Sequence, residues 1–124
     1  MTGWTWAGVA VAGALGAVAR YLLDTAIGSR TFGVFPFGTL SVNLSGSLVL
    51  GVIAGLALDH GLPTLPHAVL GDGFCGAYTT FSTMSLESVV LARQGERGGA
   101  LVNVAATVLG GCAAAAAGLA LAAL

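Results

Sequence analysis

The sequence predicts an all-α membrane protein of four transmembrane helices, and three observations carry that reading. Charged residues are 7% of the 124 residues and hydrophobic ones 56%, whereas a soluble domain carries about 25% charge. The charges are also unevenly spread: residues 1–19, 31–58 and 98–124 have none, and about 20 apolar residues suffice to cross a bilayer core of about 30 Å. All three prolines, with glycines such as Gly28, Gly33, Gly61 and Gly95, then fall between the apolar runs, where a chain must turn. The same arithmetic excludes other classes. Four Arg and no Lys make no nucleic-acid-binding patch. The apolar content excludes a disordered chain, and the 20 Gly lack the three-residue period of collagen.

The single domain, 1–124, divides as follows. The first span is expected near 4–23; no positive residue precedes it and Arg20 comes too late for a signal peptide. Loop one, near 24–37, holds Gly28, Ser29, Gly33 and Pro36. The second span, 38–58, is free of charge to Leu58. Loop two, 59–66, is broken by Gly61, Pro63 and Pro66. The third span, 68–91, has Asp72 near one end and Glu87 near the other. Loop three, 92–99, holds Arg93, Glu96, Arg97 and three Gly, and the fourth span runs 100–124.

Motifs of catalysis are missing: there is no H-E-x-x-H, G-x-S-x-G or P-loop pattern, so an enzyme is not expected. Cys75 and Cys112 lie 37 residues apart in two spans and read as packing residues rather than a zinc or disulfide framework. His60 and His67 flank loop two and read as solvated.

Polar residues inside the spans are more informative. Thr39, Asn43, Ser47, Gly51 and Gly55 recur every four residues, as do Asn103, Thr107 and Gly111, with Gly110, Ala114 and Gly118 beside them. In the first span Gly8, Ala12 and Gly16 repeat likewise. Such rows share one helix face. Small residues let membrane helices approach closely. A membrane-embedded amide such as Asn43 or Asn103 is either a cross-link or the lining of a polar path.

The third span contains Gly71, Gly73 and Gly76, then Thr79, Thr80, Ser82, Thr83 and Ser85. Glycine is poor helix material, and a helix break is expected near 76–80. Non-helical backbone survives at membrane depth only where protein or a polar cavity satisfies it. Freed carbonyls there suit a cation and freed amides an anion.

Three segments resemble the Fluc (CrcB-type) fluoride channel family. They are Gly13-Ala-Leu-Gly16 leading to Ala19-Arg20-Tyr21; Phe35-Pro-Phe-Gly38-Thr39-Leu40 followed by Val42-Asn43 and Gly46-Ser47; and Gly73-Phe-Cys-Gly76 followed by Thr79-Thr-Phe81-Ser-Thr83 and Ser85-x-Glu87. The resemblance implies an antiparallel dimer with two fluoride pores, giving passive fluoride efflux across the cell membrane, and a structural sodium ion at the dimer centre. It implies sodium ligands in the backbone carbonyls of Gly76 and Thr79. It places Asn43, Phe81, Ser82 and Thr83, with Thr39 nearby, on the fluoride path, and matches Arg20 and Glu87 to the family's charged positions. The pattern departs at Met84, where the family usually has a second pore Phe, and at Asn103, aligned with a frequent Tyr; Thr107 aligns with a frequent Ser.

The chemistry fits an anion path. Fluoride is small and strongly hydrated, so a pore must replace its water with fixed donors. Asparagine N–H and Ser or Thr O–H groups are such donors, and a phenyl ring offers its positive edge. Two other classes stay open. A proton-coupled drug exporter needs a membrane-embedded carboxylate, and Asp24 stands only at a helix end. An accessory subunit paired with a conducting partner would use the polar rows as dimer contacts. All four Arg (20, 30, 93 and 97) fall at loops one and three. The positive-inside rule puts those loops in the cytoplasm and both termini outside. A dual-topology subunit should show little bias. A heterodimer with an oppositely oriented homologous chain is therefore favoured over a homodimer.

Overall fold

In the computed structural model, which describes all 124 residues, the chain is helical throughout and has no strand. Helix α1 spans Gly3–Gly28, α2 Phe37–Asp59, α4 Phe81–Arg93 and α5 Arg97–Ala122. Residues 64–78 form a composite α3: an α turn Thr64–His67, a π-helical stretch Ala68–Cys75 and a final α turn Gly76–Tyr78. Helices α1, α2 and α5 are each long and apolar enough to cross a membrane. The 26 residues of α1 and of α5 rise about 39 Å at about 1.5 Å per residue, more than a bilayer core. The 13 residues of α4 rise only about 20 Å.

The helix ends differ from the charge-based boundaries, for local reasons. Asp24 was placed in loop one, but α1 runs on to Gly28 because nothing before Gly28 breaks it. A lone carboxylate does not end a helix, and the left-handed Gly33 (φ 96°) turns the chain just beyond. At the other end Thr2 caps α1, its side chain accepting from the Thr5 N–H at 3.4 Å. Helix α5 starts at Arg97, three residues before the expected span, directly after the left-handed Gly95 (φ 87°). His60 is not simply solvated: its Nε2 lies 2.7 Å from the Ala122 carbonyl and ties the end of α2 to the end of α5.

The packing inverts that of a soluble protein. Large apolar side chains such as Trp4, Leu15, Leu101 and Leu109 face outward, and the inside is mostly small or polar (Ala12, Gly16, Thr39, Asn43, Gly46, Gly51, Asn103 and Gly118), with Val42, Ile53, Met84 and Leu91 the larger apolar exceptions. With lipid as apolar as leucine, close backbone contact and interhelical hydrogen bonds hold such helices together. The glycine rows mark the crossings. A Cβ on Gly118 would lie 2.7 Å from the Val52 nitrogen and collide with the Leu48 carbonyl, and one on Gly51 would strike Ala115. These contacts join α5 to α2. Between α1 and α3, a Cβ on Gly73 would lie 2.9 Å from the Val9 carbonyl and 3.1 Å from the Ala12 methyl, while Gly16 abuts the backbone of Phe74.

Cys75 is buried, whereas Cys112 is exposed on the outer surface of α5 and is not an interior packing residue: the smooth Ala/Gly face of α5 turns inward and leaves it outside.

Candidate functional site

Between α3 and α4 two residues leave helical geometry. Thr79 (φ -79°, ψ 159°) and Thr80 (φ -150°, ψ 124°) are extended. Gly76 is regular helix (φ -60°, ψ -38°), so the irregularity expected near 76–80 is confined to its last two residues. The reason lies on α2. Asn43, 5% exposed, accepts the Thr80 N–H on Oδ1 at 2.8 Å and donates Nδ2–H to the Thr80 carbonyl at 2.8 Å. The carboxamide thus takes both main-chain groups of Thr80, as a neighbouring strand would. The Thr80 N–H would otherwise bond the Gly76 carbonyl four residues back; its diversion leaves that carbonyl without its helical donor.

Thr80 is also the N-cap of α4. Its Oγ1 accepts from the Thr83 N–H at 3.2 Å and donates to Thr83 Oγ1 at 3.0 Å. Preceding it, the Thr79 carbonyl accepts from Arg20 Nη1 at 3.3 Å, across from α1. The extended pair therefore sits where the negative end of α3 meets the positive end of α4. About two turns along α4, Glu87 Oε1 accepts from Thr39 Oγ1 at 2.8 Å, while its Oε2 is buried without a partner. Arg20 and Glu87 are interior helix positions rather than helix ends, since α1 continues two turns past Arg20.

Three cavities follow this line. The first, about 200 Å³, is lined by Arg20, Tyr21, Asp24, Thr39, Thr80 and Thr83 among others. The second, about 210 Å³, is lined by Asn43, Ser47, Leu50, Thr79, Thr80, Phe81 and Thr107. The third, about 340 Å³, is bounded by Ser47, Phe81, Met84, Thr107 and Gly111 with neighbouring α5 residues. Thr80 borders the first and second, and Ser47, Phe81 and Thr107 border the second and third. The second and third, more open than the first, contain hydroxyls, one amide, a phenyl ring, the Met84 thioether and the exposed Cys112 thiol, and no carboxylate.

The expected residues divide accordingly. Asn43, Phe81, Thr79, Thr107 and Met84 line the second and third cavities, and Thr39, Thr83 and Arg20 the first. Phe81 is 75% exposed and Met84 2%: the ring stands free while the thioether fills the interior. Ser82 is exposed on α4 with its hydroxyl 3.4 Å from Thr80 Oγ1. Asn103 lines none of these cavities. It is fully buried behind Met84, donating Nδ2–H to Ser88 Oγ at 3.0 Å. Its Oδ1 and the Thr107 hydroxyl have no partner within the chain.

Thr80, Ser47 and Ser88 belong to this arrangement although sequence reasoning did not single them out as site residues. Thr80 carried a signal, a hydroxyl three residues before Thr83 at a helix start. Ser47 stood in the four-residue row of α2. Ser88 carried none, because its partner Asn103 lies 15 residues away on another helix.

The family model described as CrcB-like protein, Camphor Resistance (CrcB), matches residues 7–119. Among curated relatives, the fluoride-specific ion channel FluC 1 of Leifsonia xyli subsp. xyli is 54% identical over 95 residues, covering 77% of this chain and 69% of that one. FluC 2 of Mycobacterium tuberculosis is 44% identical over 110 residues, 89% of this chain and 84% of the relative. FluC 1 of Symbiobacterium thermophilum is 46% identical over 119 residues, 94% and 96% of the two chains.

Proposed function

The chain belongs to the CrcB family of multi-pass membrane proteins, and from that premise we propose that it is a fluoride channel giving passive efflux of the anion, and not an enzyme. The observation that carries the reading is the adjoining second and third cavities, lined by Asn43, Ser47, Thr80 and Thr107 with Phe81 between them and no acidic side chain. Hydroxyl and amide donors replace fluoride's water, the Phe81 edge adds positive potential, and the N-terminal end of α4 adds more. Thr107 extends the donor set along α5, while Asn103, sealed behind Met84 and donating to Ser88, does not reach it. The absence of carboxylate from these walls speaks against a proton-coupled exporter of cations.

In this proposal residues 64–93 make one membrane crossing interrupted at Thr79 and Thr80, giving four crossings in one domain. The Gly76 and Thr79 carbonyls would hold a sodium ion. The donor set fits: Gly76 O has lost its helical N–H, and Thr79 O retains one lone pair after the Arg20 bond. When bound, the ion supplies a fixed positive charge that neutralises the carbonyl end of α3.

The functional unit is an antiparallel dimer in lipid. The Arg bias toward loops one and three favours a heterodimer with an oppositely inserted homologous chain over a dual-topology homodimer. Fluoride efflux from proteoliposomes, with chloride and a cationic dye as controls, tests the function. Fluoride flux alone is expected. Dye flux, or no flux from this chain with or without a homologous partner, refutes it. Flux only with the partner present supports the heterodimer, whereas flux from this chain alone, with a C-terminal tag found on both sides of the membrane, overturns it.

A further inference from the structure

Arg20 lies on α1 and lines only the first cavity, yet a series of hydrogen bonds and amide groups leads from it to the second. Arg20 Nη1 donates to the Thr79 carbonyl at 3.3 Å. That carbonyl and the Thr80 N–H belong to a single peptide group. The Thr80 N–H donates to Asn43 Oδ1 at 2.8 Å, and Oδ1 shares a second amide group with Asn43 Nδ2. Nδ2 carries two hydrogens. The one on the Oδ1 side closes the ring to the Thr80 carbonyl at 2.8 Å. The other, anti to Oδ1, has no acceptor within the chain, and Asn43 is part of the wall of the cavity shared by Ser47, Phe81 and Thr107.

We propose that Arg20 is a positioning residue for anion binding, acting through the Thr79–Thr80 peptide and the Asn43 carboxamide to make the free Asn43 N–H a stronger donor. An amide whose oxygen accepts from a cation shifts electron density from nitrogen to oxygen, so its own N–H becomes more acidic. Two amides in series repeat that shift in the same direction, from guanidinium to cavity. Hydrogen-bonded chains polarise one another cooperatively in this way, most where little water competes. Arginine suits the first position because its guanidinium stays charged in any protein setting. The same series predicts that a hydroxyl residue does not replace Asn43. A serine could donate into the cavity but could not also accept from Thr80 and return a hydrogen to its carbonyl.

This inference rests on the fluoride reading, and the experiment separates the two. The chain has two asparagines, 43 and 103, so ¹⁵N-asparagine labelling gives two side-chain amide groups, assigned with Asn103→Ser, and added ¹⁵N-threonine reports the Thr80 backbone N–H, assigned with Thr80→Ser. Fluoride is titrated into the purified, reconstituted protein, and wild-type flux is measured in the same preparation. The expected result is a downfield shift of one Asn43 side-chain proton, with the Thr80 backbone N–H moving at the same midpoint. In Arg20→Gln the midpoint weakens by about three- to tenfold, the scale of a lost charge felt through two polarisable bonds, while Arg20→Lys stays near wild type. An equal midpoint in Arg20→Gln, or a Lys variant that falls as far as Gln, overturns the relay. So does wild-type protein that conducts fluoride with Asn43 and Thr80 unmoved. Absence of both flux and shift in the wild type overturns the fluoride reading and the relay together. If Arg20→Gln fails to fold, the joint movement of Asn43 and Thr80 in wild type decides.

Discussion

Asn43→Leu removes both bonds that hold Thr80 in its extended conformation. Two main-chain groups lose their partner at a site where Asn43 is 5% exposed. Each unsatisfied buried group costs about 1–3 kcal/mol, so the static loss is about 2–6 kcal/mol. The chain has one way to recover: Thr80 can turn helical and return its N–H to the Gly76 carbonyl, making α3 and α4 continuous. Interhelical hydrogen bonds measured in membranes average about 0.6 kcal/mol because alternatives of this kind exist. With that relaxation the net cost falls toward about 1–2 kcal/mol. The predicted variant is therefore folded, modestly destabilised and non-conducting, since the N-terminal end of α4 and Phe81 have rotated from the cavity. Thermal melting in detergent measures the first quantity and fluoride efflux the second. Wild-type flux in Asn43→Leu would refute the reasoning, because the clamp and the donor would both be dispensable.

Phe81→Ala removes a ring that is 75% exposed, so melting should barely move while fluoride flux drops at least severalfold; normal flux would take Phe81 off the path. Met84→Phe restores the family's usual residue, but at a position 2% exposed the added volume should cost about 1–3 kcal/mol by overpacking, read as a lowered melting temperature. Gly118→Val should cost about 3 kcal/mol or more, because its Cβ would lie 2.7 Å from Val52 N; Gly98→Ala, with open space around it, is the control and should melt as wild type. Replacing sodium by a bulky organic cation should lower both flux and melting temperature. Thr79→Ser should keep the sodium response, since the proposed ligands are main-chain carbonyls; an unchanged protein in sodium-free buffer counts against the site.

The sequence alone determined the membrane class, because nine charges in 124 residues cannot cover a soluble surface. It also determined the three long helices, since two charge-free runs exceed a bilayer core of about 30 Å and the run 1–19 nearly equals it, and the crossing faces, since glycines of the rows such as Gly51 and Gly118 are where helix backbones meet. Motif spacing pointed to Asn43, Phe81 and Thr83. Tertiary structure alone decided what these residues do. Asn43 and Thr80 are 37 residues apart, and no periodicity within one helix reports a bond to another. That distance hid the clamp: the sequence places a break near 76–80, and the carboxamide across the interface fixes its extended part at Thr79 and Thr80, beyond the π-helical Ala68–Cys75. The burial of Asn103 behind Met84 and the exposure of Phe81 were hidden for a related reason. A polar row shows which face of a helix turns inward, but only the packing of α4 against α5 decides which members of that face reach a cavity and which are sealed behind it.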